Sequence, residues 1–175
     1  MFEILICFVK THFAVAFCNR KYSDKNLIFT KKMLMKKRSE CPVSYTLDIM
    51  GDKWSLLIVR DMALDDKSTF GEFLLSAEKI ATNILASRLK QLNEEGFVIK
   101  YPVAGKARIA YCLTEKGISL IPLLIETLLW GAANKNNNPK EELIKSLQQD
   151  KPMVIKQLSK KLRKKYNSIK NTIEE

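Results

Sequence analysis

The stretch "IATNILASRLKQLNEEG", residues 80–96, has the clearest helical periodicity in the chain. Leu85, Leu89 and Leu92 recur at the spacing of one face of an α-helix. Short polar residues and a lysine occupy the opposite face, as in a helix that packs on one side and meets solvent on the other. Gly96 suits the position just after a helix, where the backbone often turns left-handed. The stretch therefore predicts a helix with one buried face and one exposed face.

The pattern changes from helix to strand directly after this stretch. Residues 97–101 and 109–113 are two short runs rich in β-prone side chains, and the turn between them contains Pro102 and Gly105. Basic side chains lie at the tip and flanks of the turn. The segment predicts a β-hairpin with a basic tip.

A long apolar helix is predicted to follow the hairpin. Thr114 is placed to cap it, and Pro122 interrupts it. Trp130 lies on its apolar stripe, so we expect packing there rather than ligand stacking.

Residues 42–50, which precede residues 80–96 in the sequence, are predicted to form the first helix. Pro42 suits the first helical position, where its missing N–H group costs nothing. Val43, Leu47 and Met50 recur at helical spacing, which predicts one apolar packing face.

Two more helices are predicted between this one and residue 80. Asp52 suits the cap of the second helix, whose apolar face includes Trp54. Thr69 and Glu72 have the spacing of a capping box at the start of the third. Four helices, a hairpin and a final helix are the order of a winged helix-turn-helix. The predicted fold is therefore mainly α with a small β-hairpin, plus terminal extensions.

The net charge of +11 is concentrated at the two ends of the chain. Residues 1–40 contain nine lysines and arginines against three acids, and residues 135–175 contain eleven against five. The middle is nearly balanced. Such an excess favours nucleic acid or an anionic membrane surface as a partner.

We expect residues 1–40 to form an N-terminal extension. Met33 or Met35 would make a natural start, which would leave the preceding residues upstream of it. The first eighteen residues are strongly apolar, but Lys10 and His12 interrupt the run, and it is shorter than the roughly twenty residues that a helix needs to span a bilayer. No stable membrane span is expected.

Residues 134–175 are predicted to form a basic, amphipathic, helical C-terminal extension. Residues 41–133 are predicted to form the domain between the two extensions. A polar linker opens the C-terminal extension. Its apolar stripe, set against a lysine-rich face, consists of Val154, Leu158, Leu162, Tyr166, Ile169 and Ile173.

Four cysteines at positions 7, 18, 41 and 112 follow no disulfide or zinc spacing, so we expect reduced thiols and no metal. Cys112 lies in a predicted strand, and we expect it to be a packing residue. Cys41 directly precedes a predicted helix, whose dipole favours thiolate, and basic residues 36–38 lie just upstream. No nucleophile has a histidine partner and no glycine-rich phosphate loop occurs, so neither an enzyme nor a cofactor is predicted.

Five short motifs occur in order along residues 41–133: "CPV", "GDKWSLLIVRDM", "FGEF", "ILASRLKQLNEEGFV" and "YCLTEKG". Together they resemble the HxlR-type branch of the MarR-like regulators. The resemblance implies a homodimeric, DNA-binding transcriptional regulator in the cytoplasm. It also implies that the fourth helix enters the major groove, that the hairpin (the wing) touches the minor groove or backbone, and that terminal helices form the dimer. Cys41 matches the cysteine with which several members sense oxidants or electrophiles.

A DNA-reading surface needs short polar side chains that fit a groove and cations placed for phosphates. The resemblance and the presence of such polar and basic side chains together predict a double-stranded DNA operator as partner. The predicted DNA-binding residues are Thr69, Thr82, Asn83, Ser87, Arg88, Lys90, Lys100, Lys106 and Arg108.

The chain departs from the family pattern at several positions. Ala81 stands where a serine or threonine usually caps the fourth helix, so the cap is weaker or supplied by Thr82. Ala86 and Ser87 are shorter than usual, so a base preference does not carry over. Two alternatives stay open: a DNA-binding regulator without thiol sensing, and a basic protein that binds a membrane surface or another partner.

Overall fold

The structure is a computed structural model that describes residues 39–103, 105, 108–135 and 139–174. The expectations for the N-terminal extension, including the basic residues upstream of Cys41, lie outside the described residues, and so does Lys106. Along the described residues the order is α1 (Pro42–Met50), α2 (Ser55–Leu64), α3 (Phe70–Leu74), α4 (Thr82–Glu94), β1 (Val98–Pro102), β2 (Ile109–Leu113), α5 (Glu115–Ile118), α6 (Ile121–Asn134) and α7 (Glu141–Glu174). The predicted fold class, mainly helical with one hairpin, is confirmed.

The two strands pair antiparallel, from Val98 opposite Leu113 to Pro102 opposite Ile109. The first strand lies one residue later than predicted. A short third stretch extends the sheet, because Thr69 bridges Ala110 and the Ser68 carbonyl accepts the N–H of Tyr111 at 2.7 Å. The segment before α3 is thereby fixed to the base of the wing.

The core lies where α2, α4, the hairpin and α6 meet. Fully buried side chains come from each of these elements, among them Val59, Leu85, Val98, Ile121 and Ile125. Burying such apolar surface supplies most of the favourable free energy of folding. It also sets the orientation of α4.

The apolar segment after the wing forms two helices instead of the single predicted one. The Thr114 hydroxyl accepts the N–H of Gly117 and caps the one-turn helix α5, as expected. Pro122 lies in the first turn of α6. Proline is tolerated in that turn because the N–H groups there have no partner within the helix. It therefore helps to begin a helix and does not break one.

The C-terminal extension is helical and amphipathic, as predicted, but it bends. Asp150 has non-helical angles (φ −148°, ψ 79°) within α7, and its carboxylate accepts the N–H of Met153 at 2.9 Å. The aspartate thus caps the second part of the helix, residues 151–174. Leu147 and Leu162, one from each part, join the core.

Candidate nucleic-acid interface

The α4 helix separates its two faces as the sequence predicts. Leu85, Leu89 and Leu92 are at most 1% exposed. Four of the predicted DNA-binding residues are exposed on the other side: Thr82, Asn83, Ser87 and Lys90. These side chains form a surface of hydroxyls, an amide and one cation, which are groups that can hydrogen-bond to base edges and phosphates.

The first turn of α4 has no side-chain cap. Ala81 occupies the cap position without a side-chain hydrogen bond, and Thr82 does not replace it. The Asn83 side-chain oxygen accepts only the N–H of Ile84, at 2.9 Å. The positive end of the helix dipole therefore lies at an exposed helix start, where anions are favoured.

Arg88, whose side chain is 30% exposed, ties α4 to α2. Its guanidinium donates to the Gln91 side chain at 2.6 Å and lies 3.5 Å from the Asp52 carboxylate. Asp52 in turn accepts the N–H groups of Trp54 and Ser55, so it caps α2, although the helix itself begins three residues later. Burial alone would raise the pKa of Asp52, but hydrogen bonds from Ser55 and the backbone outweigh it and lower this pKa.

Thr69 is half-buried at the start of α3 and forms the predicted capping box. Its hydroxyl accepts the N–H of Glu72, and the Glu72 carboxylate accepts the Thr69 N–H at 2.8 Å. The N–H groups of Ser68 and Thr69 lower the pKa of this carboxyl. The box fixes the short helix that precedes α4 in the helix-turn-helix.

A buried ionic network holds the turn between α3 and α4. The Asp61 carboxylate, 3% exposed, accepts bonds from Ser76, from Lys67 at 3.0 Å and from Arg60 at 2.6 Å. Arg60 also forms a bidentate pair with Glu78, two residues before Ile80. Its guanidinium lowers the pKa of Glu78 to about 2, and the pKa of Arg60 is raised. Sequence reasoning missed this network; the available signal was an aspartate next to an arginine inside a mainly apolar helix.

The wing exposes two of its predicted cations. Lys100 on β1 and Arg108 at the start of β2 are exposed, and the Arg108 carbonyl accepts the N–H of Val103 at 3.0 Å. Gly105 at the tip has φ +70°, a conformation that favours glycine.

The two described cysteines differ in accessibility. Cys41 is exposed at the N-cap of α1 and forms no side-chain cap bond. Cys112 is 5% exposed, and burial raises its pKa to about 11 against the opposing effect of Lys165. The expectation that Cys112 is a packing residue is confirmed.

Part of the apolar surface is left uncovered by the residues that the structure describes. Of the predicted apolar face of α1 only Met50 is buried, whereas Val43 and Leu47 are 64% and 54% exposed. Trp130 on α6 is 72% exposed, so the expectation that it packs is wrong for the described protomer. Trp54 does pack against the core. Helical periodicity correctly identified the apolar stripes but did not show whether each stripe is covered.

The described ranges also bear on metal binding and on membrane insertion. Those residues hold no group of three or more histidine, cysteine or acidic side chains that could bind a metal ion. The segment Glu115–Asn134 has the length and hydropathy of a membrane span, with a mean hydropathy of 1.4. A core helix passes the same test, and Ile118, Ile121 and Ile125 of this segment are at most 1% exposed.

The sequence model of the HxlR-like helix-turn-helix family matches residues 49–139. The chain belongs to this family. It is 34% identical over 105 residues to the HTH-type transcriptional regulator BH0655 of Halalkalibacterium halodurans. The matched region covers 59% of this chain and 92% of that relative. It is 32% identical to the HTH-type transcriptional regulator YybR of Bacillus subtilis, over 61% of this chain and 85% of the relative.

The oxidised form of the redox regulator HypR has a similar structure. The TM-score is 0.50 at 32% identity, over 55% of this chain and all of HypR. The HxlR-like chain described here is thus a DNA-binding transcriptional regulator and not an enzyme. The family match ends at residue 139, just before α7 begins.

Proposed function

We propose that this HxlR-like regulator acts as a homodimer that reads a palindrome-like operator with α4 and represses transcription until Cys41 is modified by an oxidant or electrophile. The observation that carries the operator-reading part is the polar face of α4, which is exposed while the opposite stripe is fully buried. The proposed base-reading residues are Thr82, Asn83 and Ser87, and the proposed phosphate contacts are Lys90, Lys100, Lys106 and Arg108. Thr69 and Arg88 position these groups through the α3 cap and the link to Asp52.

The uncovered apolar side chains support the homodimer. Val43, Leu47 and Trp130 are large and exposed, and a two-fold dimer would bury each of them twice. Two copies related by a two-fold axis place two α4 helices on one DNA face, with half-sites about one helical turn apart. The operator is therefore proposed to be an inverted repeat.

The position of Cys41 supports the sensing step. Its thiol is exposed and lies next to the exposed apolar face of α1, on which the dimer is proposed to rest. A thiolate there adds to an electrophile, or attacks a small disulfide, breaks its S–S bond and expels one of its halves as a thiolate. Either step attaches a new group beside the interface. A shift of one protomer against the other would then move the two α4 helices off the half-site spacing. HypR, a redox regulator by name, has a similar fold. We propose a cytoplasmic location, where protein thiols stay reduced.

DNA binding with and without diamide tests the whole proposal. An operator selected from a random library with the reduced protein would serve as a fluorescent probe for anisotropy. We expect diamide to release the wild type but not Cys41→Ser, and a Cys7→Ser/Cys18→Ser variant to respond like the wild type. Equal loss in Cys41→Ser would remove the sensor and keep the DNA reader. Failure to select any sequence would contradict operator reading itself.

A further inference from the structure

The C-terminal part of α7, residues 151–174, lies beyond the family match and is anchored on the winged domain. Leu162 is buried, Arg163 pairs with Glu115 at 2.9 Å, and Lys165 pairs with Asp66 at 2.6 Å. We propose that this segment is a second DNA-binding surface that contacts phosphates beside the wing and lengthens the footprint of each protomer. The proposal rests on the proposed function and adds to it a surface that α4 does not supply.

The segment lies beside the strands that carry the wing. The α7 helix contacts β2 and α5. Ile99 opposite Cys112 and Tyr101 opposite Ala110 share one face of the hairpin, because side chains alternate along a strand. Lys165 influences the pKa values of both Tyr101 and Cys112, so it lies near that face. A phosphate backbone that reaches the wing therefore passes close to this segment.

The outward face of the segment is cationic. Lys156, Lys160, Lys161 and Lys164 are exposed and form no ion pair with any part of the chain that the structure describes. Three of them recur every four residues, so they lie along one line of about 12 Å at a rise of 1.5 Å per residue. Duplex DNA carries one negative charge per about 1.7 Å of its axis, so several phosphates fall within that length.

The packing of the apolar stripe favours DNA over a lipid surface. An amphipathic helix binds a membrane by inserting its apolar face. Here Val154, Leu158 and Tyr166 pack against the core, and Leu162 is part of it. Met153 and Ile173, near the two ends of the segment, are exposed. Between them the segment offers a partner its lysine face, which suits a polyanion without an apolar layer.

Salt dependence of DNA affinity tests the proposal. We compare the full-length wild type with K156Q/K160Q/K161Q/K164Q on the selected operator and on a mixed-sequence duplex of equal length. Each phosphate contact contributes about 0.9 to the slope of log affinity against log salt. For each protomer bound we expect the slope to fall by about 2–3 and the affinity at 0.1 M salt to fall on the order of 100-fold, on both duplexes. The ratio between operator and mixed sequence should stay constant.

The matched control K156R/K160R/K161R/K164R keeps the charge and should keep the slope, and K145Q removes a lysine from the other part of α7. Circular dichroism verifies that each variant is folded. An unchanged slope in the glutamine variant would overturn the proposal and leave operator reading intact. If the wild type binds vesicles of phosphatidylserine and phosphatidylcholine and the glutamine variant does not, while both bind DNA equally well, the lysines belong to a membrane-binding surface instead. If the wild type selects no operator and shows no salt-dependent binding to the mixed-sequence duplex, both proposals fail.

Discussion

The helices α1 and α4 are both amphipathic, but they leave opposite faces uncovered. In α4 the leucine stripe is at most 1% exposed and the polar side faces outward. In α1 only the last turn is buried, at Ile49 and Met50, while Val43 and Leu47 are more than half exposed. The same kind of pattern therefore has two different outcomes in one domain.

The difference indicates what kind of partner each helix needs. An exposed polar face is well solvated and gains from a partner only through directional bonds, as at base edges. An exposed apolar face gains about 25 cal/mol for each Å² that a partner covers, whatever its exact geometry. DNA fits α4 by this criterion, and a second copy of the chain fits α1.

The largest expected effect comes from removing a buried side chain of α4. Leu89→Ala deletes apolar volume in the core and should lower the free energy of unfolding by about 3–5 kcal/mol. Leu47→Ala on α1, 54% exposed in the protomer, should cost less than about 1 kcal/mol at protein concentrations where the chain is monomeric. Urea denaturation at low concentration measures both. Equal losses would show that α1 is buried within its own chain and that the apolar faces of the two helices are covered alike.

The sequence predicted α4 well because its signal is local. Leu85, Leu89 and Leu92 lie on one face through helix geometry alone, and the adjacent hairpin needs burial on that side. The stripe of α1 is equally periodic, yet Val43 and Leu47 are exposed in the protomer. Periodicity shows that a face is apolar, but what covers it depends on elements distant in sequence or on another chain.

The supports of the candidate interface were harder to predict for the same reason. Asp61 meets Ser76 across fifteen residues, and Lys165 meets Asp66 across ninety-nine. No spacing rule links such pairs. Arg88 illustrates the consequence: the sequence predicts a DNA contact for it, and its guanidinium lies 3.5 Å from the Asp52 carboxylate, a neighbour that no spacing rule indicates.

The next effect concerns the apolar face of α1. Leu47→Lys places a charge on this face and should weaken the proposed dimer by about 4 kcal/mol, because a side chain worth about 2 kcal/mol is changed twice across a two-fold axis. Analytical ultracentrifugation measures the dimer dissociation constant, with Lys145→Ala as a surface control. Operator affinity should fall together with dimerisation. An unaltered dimer would place the interface elsewhere.

A smaller effect is expected on the polar face of α4. Asn83→Ala should reduce discrimination between the operator and single-base variants by about 1–3 kcal/mol at one position, because a side-chain amide reads one base pair. Its stability should stay within about 0.5 kcal/mol of the wild type, since the residue is exposed. Anisotropy on a panel of mutated operators measures the effect. A uniform loss on every sequence would instead assign Asn83 to the phosphate backbone.

The smallest expected effect concerns the turn between α3 and α4. This turn leads into α4 and not into α1. The Arg60 guanidinium lowers the pKa of Glu78 to about 2 from an ordinary 4.5, so the pair stabilises the fold above about pH 4.5 and loses this contribution as the pH falls toward 2. The Glu78 side chain is 35% exposed, so solvent screening limits the contribution to about 1 kcal/mol. The difference in unfolding free energy between wild type and Glu78→Gln, from urea titrations at pH 7, 5, 4 and 3, should therefore shrink with decreasing pH. Glu142→Gln, an exposed carboxyl without an ion pair among the described residues, serves as control. A difference that stays constant with pH would mean that Glu78 acts through packing and not through its charge.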